Sequence, residues 1–279
     1  MSTRQPGPRS GLTTGLLLAP PLLWLGVAYL GALAALLITA FFSVGEFTSE
    51  VVRVFTLDNF TSLLQDPVYR TVAFRTIGVA VLVTIVDALL ALPIAFFMAK
   101  IASPRGQRVL VIAVLTPLWA SYLVKAYAWR AMLSASGPLA SIGLHIGYGL
   151  PGLVITLAYL WLPYMILPVY AGLQRLPGSL LEASSDLGAS AGTTFRRVVI
   201  PSIFPSLVAG SIFTFSLTMG DYIAVKIVGG PTQMIGNVIY QSVGTANDLP
   251  FAAAYAFVPI VVMLVYLWAV RRTGALENM

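Results

Sequence analysis

Long apolar windows dominate the chain and alternate with short polar connections. Each window reaches the about 20 residues that an α-helix needs to cross a bilayer. The pattern predicts six transmembrane helices, at about 16–42, 72–98, 109–133, 150–173, 203–225 and 251–270. We therefore expect an all-α membrane protein that forms one transmembrane domain over residues 1–279, without a separate soluble domain.

The composition agrees with a lipid environment. Hydrophobic residues make up 58% of the chain and charged residues 9%, whereas soluble domains have about 45–50% and about 25%. A surface with so little charge is suited to lipid rather than water. The absence of cysteine excludes disulfides, thiolate metal sites and cysteine nucleophiles. The single histidine, His145, falls in a predicted external loop, where we expect a surface residue rather than a ligand.

Basic residues concentrate on alternate connections. One side of the predicted bundle carries Arg4, Arg9, Lys100, Arg105, Arg108, Arg175, Arg196, Arg197, Arg271 and Arg272. The other side carries Arg53 and Arg70 together with Glu46, Glu50, Asp58, Asp66 and Asp248. The positive-inside rule places the basic side, and with it both termini, in the cytoplasm. The net charge of +6 thus indicates topology rather than nucleic-acid binding.

The amino-terminal segment has some features of a signal peptide. Its first apolar stretch runs on to Phe42, beyond the about 7–15 residues of a signal-peptide core, and no convincing cleavage site interrupts it. We expect an uncleaved first transmembrane helix.

The connection 174–201 carries more pattern than a simple link requires. Four apolar residues fall at helical spacing, and the polar residues Glu182, Ser185 and Asp186 lie off that stripe. The stripe consists of Leu180, Ala183, Leu187 and Ala191. Gly188 allows a sharp bend, and Pro201 is expected to end the segment before the fifth span. The sequence predicts a short helix, a turn and a second short helix across the cytoplasmic face, shaped to fit a groove on a soluble partner.

This connection resembles the coupling loop of permease subunits of ATP-binding-cassette (ABC) importers. That signature is Glu-Ala-Ala, three residues, Gly, nine residues, then Ile-x-Leu-Pro. The matching positions are Glu182, Ala183, Ser184, Gly188, Val198, Ile200 and Pro201. Serine replaces the second alanine, and valine and isoleucine replace isoleucine and leucine, while the spacing is kept.

A second resemblance, from about residue 60 to the last helix, is to the first permease of spermidine/putrescine importers. It rests on residues 117–129, on Gly220-Asp221-Tyr222 and on the segments 229–231 and 234–237. The resemblance implies the type I importer fold in a bacterial inner membrane. It also implies a second permease, two ATPase subunits that bind ATP and magnesium, and an extracytoplasmic solute-binding protein. The solute is a polyamine or another small solute handled by this branch.

Charged residues inside the apolar windows are expected to have a structural or functional role, because placing each one at the bilayer centre costs about 2.5–3.5 kcal/mol. Asp87 lies roughly 22 Å along the second helix at 1.5 Å per residue, in the inner half. Asp221 reaches the outer level of Lys125. Asp221 either forms a structural pair with Lys125 or Lys226, or faces a cavity that passes a cation.

Aromatic residues near Lys125 support a cationic path, since an ammonium over an aromatic face gains about 0.5–2 kcal/mol. We assign Trp129 to an interfacial belt. The candidate path residues are Asp87, Trp119, Tyr122, Asp221 and Tyr222.

Enzyme functions lack their motifs. The chain has no Gly-x-x-x-x-Gly-Lys-Ser/Thr phosphate loop, no His-Glu-x-x-His and no Gly-x-Ser-x-Gly. We expect a transport subunit without its own ATP site, cofactor or metal. An ion-coupled secondary transporter with Asp87 as its cation site is the alternative, although no internal repeat supports it. A purely structural membrane protein explains the intramembrane charges less well.

Overall fold

The computed structural model describes residues 9–45 and 50–272, with side chains from residue 15 onward. Arg4 and Glu46, used above for topology, lie outside the described residues. The helices are α1 Arg9–Trp24, α2 Gly31–Thr39, α3 Asp58–Gln65, α4 Pro67–Phe96, α5 Pro104–Trp119, α6 Tyr122–Leu133, α7 Pro138–Ser141, α8 Leu150–Arg175, α9 Gly178–Asp186, α10 Ala191–Thr194, α11 Ile200–Met219, α12 Ile223–Val228, α13 Ile235–Gly244 and α14 Leu249–Arg272.

Three π-helical turns continue or join these helices, at Leu25–Leu30, Phe97–Ile101 and Phe195–Val199. The short strands β1 Ser43–Val44 and β2 Val51–Val52 pair antiparallel.

Five helical segments of the described chain are long and apolar enough to cross a membrane. They are Gly15–Thr39, Pro67–Ile101, Leu150–Arg175, Ala191–Met219 and Leu249–Arg272. A sixth crossing results if the bent pair Pro104–Trp119 and Tyr122–Ser141 is one span. The protein is therefore a multi-pass, all-helical membrane protein, as the hydrophobic pattern predicted.

The third window is not the straight helix predicted over 109–133. The chain bends by 94° between α5 and α6, because Ala120 and Ser121 have extended ψ angles of 140° and 135°. Pro117 lies one turn before the break and has no N–H to donate to the preceding turn. α6 consequently runs across the bundle rather than along it.

The fifth span also differs from the prediction. Its helix is continuous from Ala191 through the π-turn Phe195–Val199 and ends at Met219. Pro201 does not end the preceding segment; it lies within the continuous helix, two residues after the π-turn, and its missing N–H leaves one backbone hydrogen bond of this helix unmade. The second short helix predicted on the cytoplasmic face is thus the beginning of the span itself.

The core forms along α4, α8 and α11. One buried cluster joins Val83 to Leu157 and Val225, a second joins Ala80 to Phe215 and Tyr255, and a third joins Ala95 to Val169 and Ile203. Small residues bring these helices together. A β-carbon at Gly210 on α11, for example, would lie 3.1 Å from Cα of Met165 on α8.

The apolar surface of α1 and α2 faces outward. Large side chains such as Leu17 and Trp24 are exposed, and the main contacts of α1 among the described elements are with its own helical continuation. Such a surface is covered by lipid or by another membrane subunit, because the hydrocarbon core of the bilayer contains no water.

Candidate functional site

Asp221 lies in the break that follows α11. Gly220 and Asp221 leave the helix, and the Asp221 Oδ1 atom accepts a hydrogen bond of 2.9 Å from the amide of Ala224 in α12. The side chain therefore satisfies a free N–H at the start of α12. Only 7% of Asp221 is exposed. The helix is interrupted directly after Gly220, because the Asp221 carboxylate accepts a backbone hydrogen bond that a carbonyl of the preceding turn would accept in a continuous helix.

The second oxygen of Asp221 accepts a hydrogen bond from the hydroxyl of Tyr122 at the start of α6. The 94° bend before α6 brings Tyr122 to this point. Tyr122 in turn stacks on Trp161 of α8, with ring centroids 5.8 Å apart and planes at 26°. Three separate elements thus meet around one buried carboxylate.

These residues line an open cavity of about 290 Å³. Its walls are Tyr122, Trp161, Ser216, Leu217, Gly220, Asp221, Tyr222 and Ile223. The lining combines one carboxylate with the faces of three aromatic residues, and it contains no basic side chain. Such a lining attracts an organic cation through charge and through the aromatic quadrupoles. No group of three metal-ligating side chains occurs within the part of the chain that the structure describes.

Neither lysine pairs with Asp221 among the described residues, so the structure lacks the ion pair that was one of the two alternatives for this residue. Among the described residues Asp221 has Tyr122 and backbone amides as partners, and no salt bridge to Lys125 or Lys226 forms. The Lys226 Nζ atom instead lies 4.6 Å from the ring centroid of Tyr240. Tyr240 stacks on Tyr222 at 4.9 Å. The carboxylate is left without a cation of its own.

Two of the predicted path residues lie elsewhere. Asp87 is fully buried in α4, and neither of its oxygens has a hydrogen-bond partner among the described residues. Trp119 is 89% exposed at the end of α5. Neither residue lines the Asp221 cavity. The structure brings together Tyr122, Asp221 and Tyr222, and separates Asp87 and Trp119 from them.

The sequence patterns did not mark Trp161 and Tyr240 as functional residues. Trp161 sits inside an apolar window, where an aromatic residue gives no contrast of polarity that marks it as functional. Tyr240 follows the candidate segment 234–237 by one helical turn. The spacing from Asn237 was a signal, although the sequence did not show that α13 turns back towards Tyr222.

The second candidate site is the connection between α8 and α11. α9 ends at Asp186, and Gly188 adopts a left-handed φ of 76°. The Gly188 amide donates to Ser185 O at 2.8 Å, and the Ala189 amide donates to Ser184 O at 3.1 Å. These bonds close the helix in the way typical of a glycine terminator. The predicted bend at Gly188 is present.

A second set of contacts fixes the angle between α9 and α10. The hydroxyls of Ser184 and Thr194 lie 2.8 Å apart, and Ser190 accepts a 3.3 Å hydrogen bond from the amide of Thr193. Serine in place of the second alanine of the signature therefore contributes a hydrogen bond here.

The predicted apolar stripe faces away from the bundle. Leu181 packs against the buried cluster of α4 and α8, whereas Leu180 and Ala183 are exposed and Leu187 is 88% exposed. Glu182 is exposed, and no hydrogen bond or ion pair involves it within the described residues. An outward apolar ridge beside a free carboxylate is a surface suited to a protein partner.

The end of the signature returns into the membrane core. Val199 is fully buried, Val198 and Ile200 are half-buried, and Pro201 is exposed. The motif thus joins an exposed knob, residues 178–189, to a buried helical base.

Comparison with known proteins identifies the family. Residues 71–273 match the family described as binding-protein-dependent transport system inner membrane component. The chain belongs to this family. It is a permease subunit of an ABC importer, and membership sets aside the ion-coupled secondary transporter.

Two relatives illustrate the match. The inner membrane ABC transporter permease protein YdcU of Escherichia coli (strain K12) is 43% identical, over 96% of this chain and 91% of its own length. The spermidine/putrescine transport system permease protein PotB of the same strain is 33% identical, over 82% of this chain and 86% of its own.

Solved structures share the fold. A chain of a bacterial ABC transporter that imports the acidic polysaccharide alginate superposes with a TM-score of 0.70 at 18% identity, over 95% of this chain and 96% of that one. In the complex with a pentasaccharide-bound periplasmic protein the TM-score is 0.75 at 17% identity, over 93% and 92%. These matches confirm the predicted type I importer fold.

Proposed function

We propose that the permease forms half of an import path for a small organic cation, most simply a polyamine such as putrescine or spermidine. The observation that carries this proposal is the Asp221 cavity, where one uncompensated carboxylate is surrounded by Tyr122, Trp161 and Tyr222. The similarity to PotB, whose name states spermidine and putrescine transport, supports the same class of solute.

The proposed assembly contains a second permease, two ATPase subunits and an extracytoplasmic solute-binding protein. One chain carries one coupling knob, and therefore engages one ATPase. ATP and magnesium bind to the ATPases, and closure of the ATPase pair is transmitted through residues 178–201. This chain provides the path and the coupling surface, without a nucleotide site or cofactor of its own.

In the proposed orientation the protein spans the bacterial inner membrane, and both termini and the knob lie in the cytoplasm. This orientation rests on the excess of lysine and arginine near one end of the spans. The exposed Arg196 and Arg197 follow the knob directly. The Asp221 cavity then lies towards the outer side, one 20-residue helix away, or about 30 Å at 1.5 Å per residue.

A second class of solute is favoured by one detail. The indole N–H of Trp161 is buried beside the cavity and has no acceptor among the described residues. A buried donor without an acceptor is costly. If the indole ring turns its N–H towards the cavity, a small amine that also carries a carboxylate or hydroxyl supplies this acceptor, whereas a pure polyamine does not.

Uptake by the reconstituted four-component complex separates these solutes. Proteoliposomes with ATP inside are given labelled putrescine, spermidine, a zwitterionic amino acid of similar length, or a neutral diol. We expect ATP-dependent uptake of the diamine or triamine and none of the diol. Preferential uptake of the zwitterion would support the second class, and uptake of the diol alone would contradict both.

The orientation is tested by cysteine labelling, which is clean because the chain has no cysteine. In spheroplasts a membrane-impermeant maleimide should label His145→Cys and should fail to label Glu182→Cys until the membrane is opened. Both side chains are exposed, so access alone decides the result. Labelling of Glu182→Cys from outside would reverse the proposed topology.

A further inference from the structure

The two ends of the coupling connection are held by one short stretch of chain. The Lys100 Nζ atom donates a 2.7 Å hydrogen bond to the carbonyl of Leu176, where the connection begins. Phe96 meets Phe195, where the connection re-enters the membrane, with centroids 5.8 Å apart and planes at 79°. Residues 96–100 therefore form a clamp on both the entry and the exit of the knob.

The clamp residues Phe96 and Lys100 and the contacted Phe195 are half-buried and lie against a buried cluster. Leu176 follows the last turn of α8, and a cation is favourable at the carbonyl end of a helix. Leu176, Met98 and Val199 belong to one buried cluster, so the surrounding contacts are dry. A displacement of the knob therefore displaces the end of α4 unless this cluster is broken.

The same helix reaches the opposite end of the bundle. α4 is one helix of 30 residues, with Pro93 in its last turn, and is about 45 Å long at 1.5 Å per residue. Near its other end Thr76 is fully buried, and its hydroxyl accepts a 3.0 Å hydrogen bond from the amide of Ile235. Arg75 Nη1 lies 3.5 Å from the carbonyl of Gln233. α4 thus holds the segment 233–237 by its backbone.

That segment packs against the backbone of Asp221 and Tyr222, two residues of the cavity wall. The Asn237 side-chain amide donates a 3.4 Å hydrogen bond to the carbonyl of Tyr222. Gly236 lies so close to the chain that a β-carbon there would be 2.7 Å from the carbonyl oxygen of Asp221. Because the backbones of Gly236 and Asp221 are this close, a shift of residues 233–237 changes the position of Asp221.

We propose that Lys100, in the π-helical turn that follows α4, and Thr76, on the third turn of α4, are positioning residues through which the knob 178–189 moves the 233–237 segment against Asp221. The inference rests on the proposed function of the knob. When an ATPase moves the knob, the clamp carries the motion to α4, and Thr76 passes it to Ile235. Lys100 therefore couples the knob to α4, and Thr76 couples α4 to the segment 233–237.

The test measures solute moved per ATP hydrolysed by the reconstituted complex. Lys100→Met removes a hydrogen bond from a charged donor, and we expect this ratio to fall about tenfold, while ATP hydrolysis continues. Thr76→Val removes a neutral hydrogen bond and should lower the ratio about fivefold. Lys100→Arg and Thr76→Ser keep the donor or hydroxyl and should restore most of the coupling.

Two matched controls separate coupling from folding. Arg105→Met removes an exposed basic residue from the same end of the bundle. Thr71→Val removes a hydroxyl on the same helix that donates a 2.7 Å hydrogen bond to the carbonyl of Pro67, one turn away. Both controls should keep the wild-type ratio. If Lys100→Met or Thr76→Val is not inserted at normal abundance, Lys100→Gln and Thr76→Ala remove the charged donor and the hydroxyl instead, with the same expected loss of coupling.

A cysteine reporter at Ser216, in the cavity wall, gives a readout that a static role would not change. Its maleimide labelling rate should change between the ATP-free and vanadate-trapped complexes, and Lys100→Met should abolish that change. Wild-type coupling and an unchanged labelling response in both Lys100→Met and Thr76→Val would overturn the inference. Absence of ATP-dependent uptake in the wild-type complex would instead contradict the proposed function.

Discussion

Replacement of Asp221 by Asn is expected to reduce uptake by about 10- to 100-fold, because a buried hydrogen bond or contact to a charged group contributes about 1.5–3 kcal/mol. Asparagine keeps the oxygen that caps α12 through Ala224, so the fold should persist. What disappears is the single carboxylate of the cavity. Initial rates of uptake in proteoliposomes, normalised to the amount of inserted complex, measure the effect.

Asp248→Asn is the matched control. The Asp248 side chain accepts a 3.0 Å hydrogen bond from the amide of Phe251 at the start of α14, and it does not line the Asp221 cavity. It should leave uptake unchanged. Tyr122→Phe keeps the charge and removes one neutral donor to it, so we expect a smaller loss of about fivefold. Normal uptake by Asp221→Asn would exclude the cavity as a cation site.

Replacement of Gly188 by Trp is expected to uncouple ATP hydrolysis from transport and to lower uptake about tenfold, because a left-handed conformation costs other residues roughly 1–2 kcal/mol. Gly188 has a φ of 76°, and no atom lies within 4 Å of the position of its missing β-carbon. The substitution therefore strains the turn without a clash inside this chain. Any further loss must come from the ATPase surface.

Two variants separate the strain from the docking contact. Gly188→Asn adds a side chain that tolerates positive φ, so a loss of coupling in it would indicate a contact with the ATPase. Gly178→Trp adds bulk at the other end of α9, at a glycine without positive φ and with open space around it, and should leave coupling intact. Normal uptake by Gly188→Trp at normal abundance would remove the knob from the coupling mechanism.

Periodicity and composition determined much of this protein. Long apolar windows can lie only in lipid, so the class and the helical fold followed from the chain alone. The spacing from Glu182 to Pro201 indicated the coupling connection, because a signature of fixed spacing survives mild substitutions. The left-handed turn at Gly188 was also readable, since glycine is the residue that ends a helix in this way.

The breaks in the spans required the tertiary structure. A window of 25 apolar residues such as 109–133 looks the same whether its helix is straight or bends at Ala120 and Ser121. The choice depends on what the second half packs against, and here Tyr122 finds Asp221. Pro201 was misread for the same reason: proline ends some helices, whereas here it lies inside a helix that continues through a π-turn.

The tertiary structure likewise decided which charged side chains lie next to each other. Depth along a straight helix put Asp221 level with Lys125 and suggested a pair, but the bend directs Tyr122 to the carboxylate and Lys226 lies over Tyr240. The structure separates Asp87 and Trp119 from the cavity and places Trp161 in its wall, because the side of a helix on which a residue lies cannot be read when every side is apolar. The sequence by itself determined the family, the spans and the coupling motif; the packing of α4, α8 and α11 decided which residues surround the cavity.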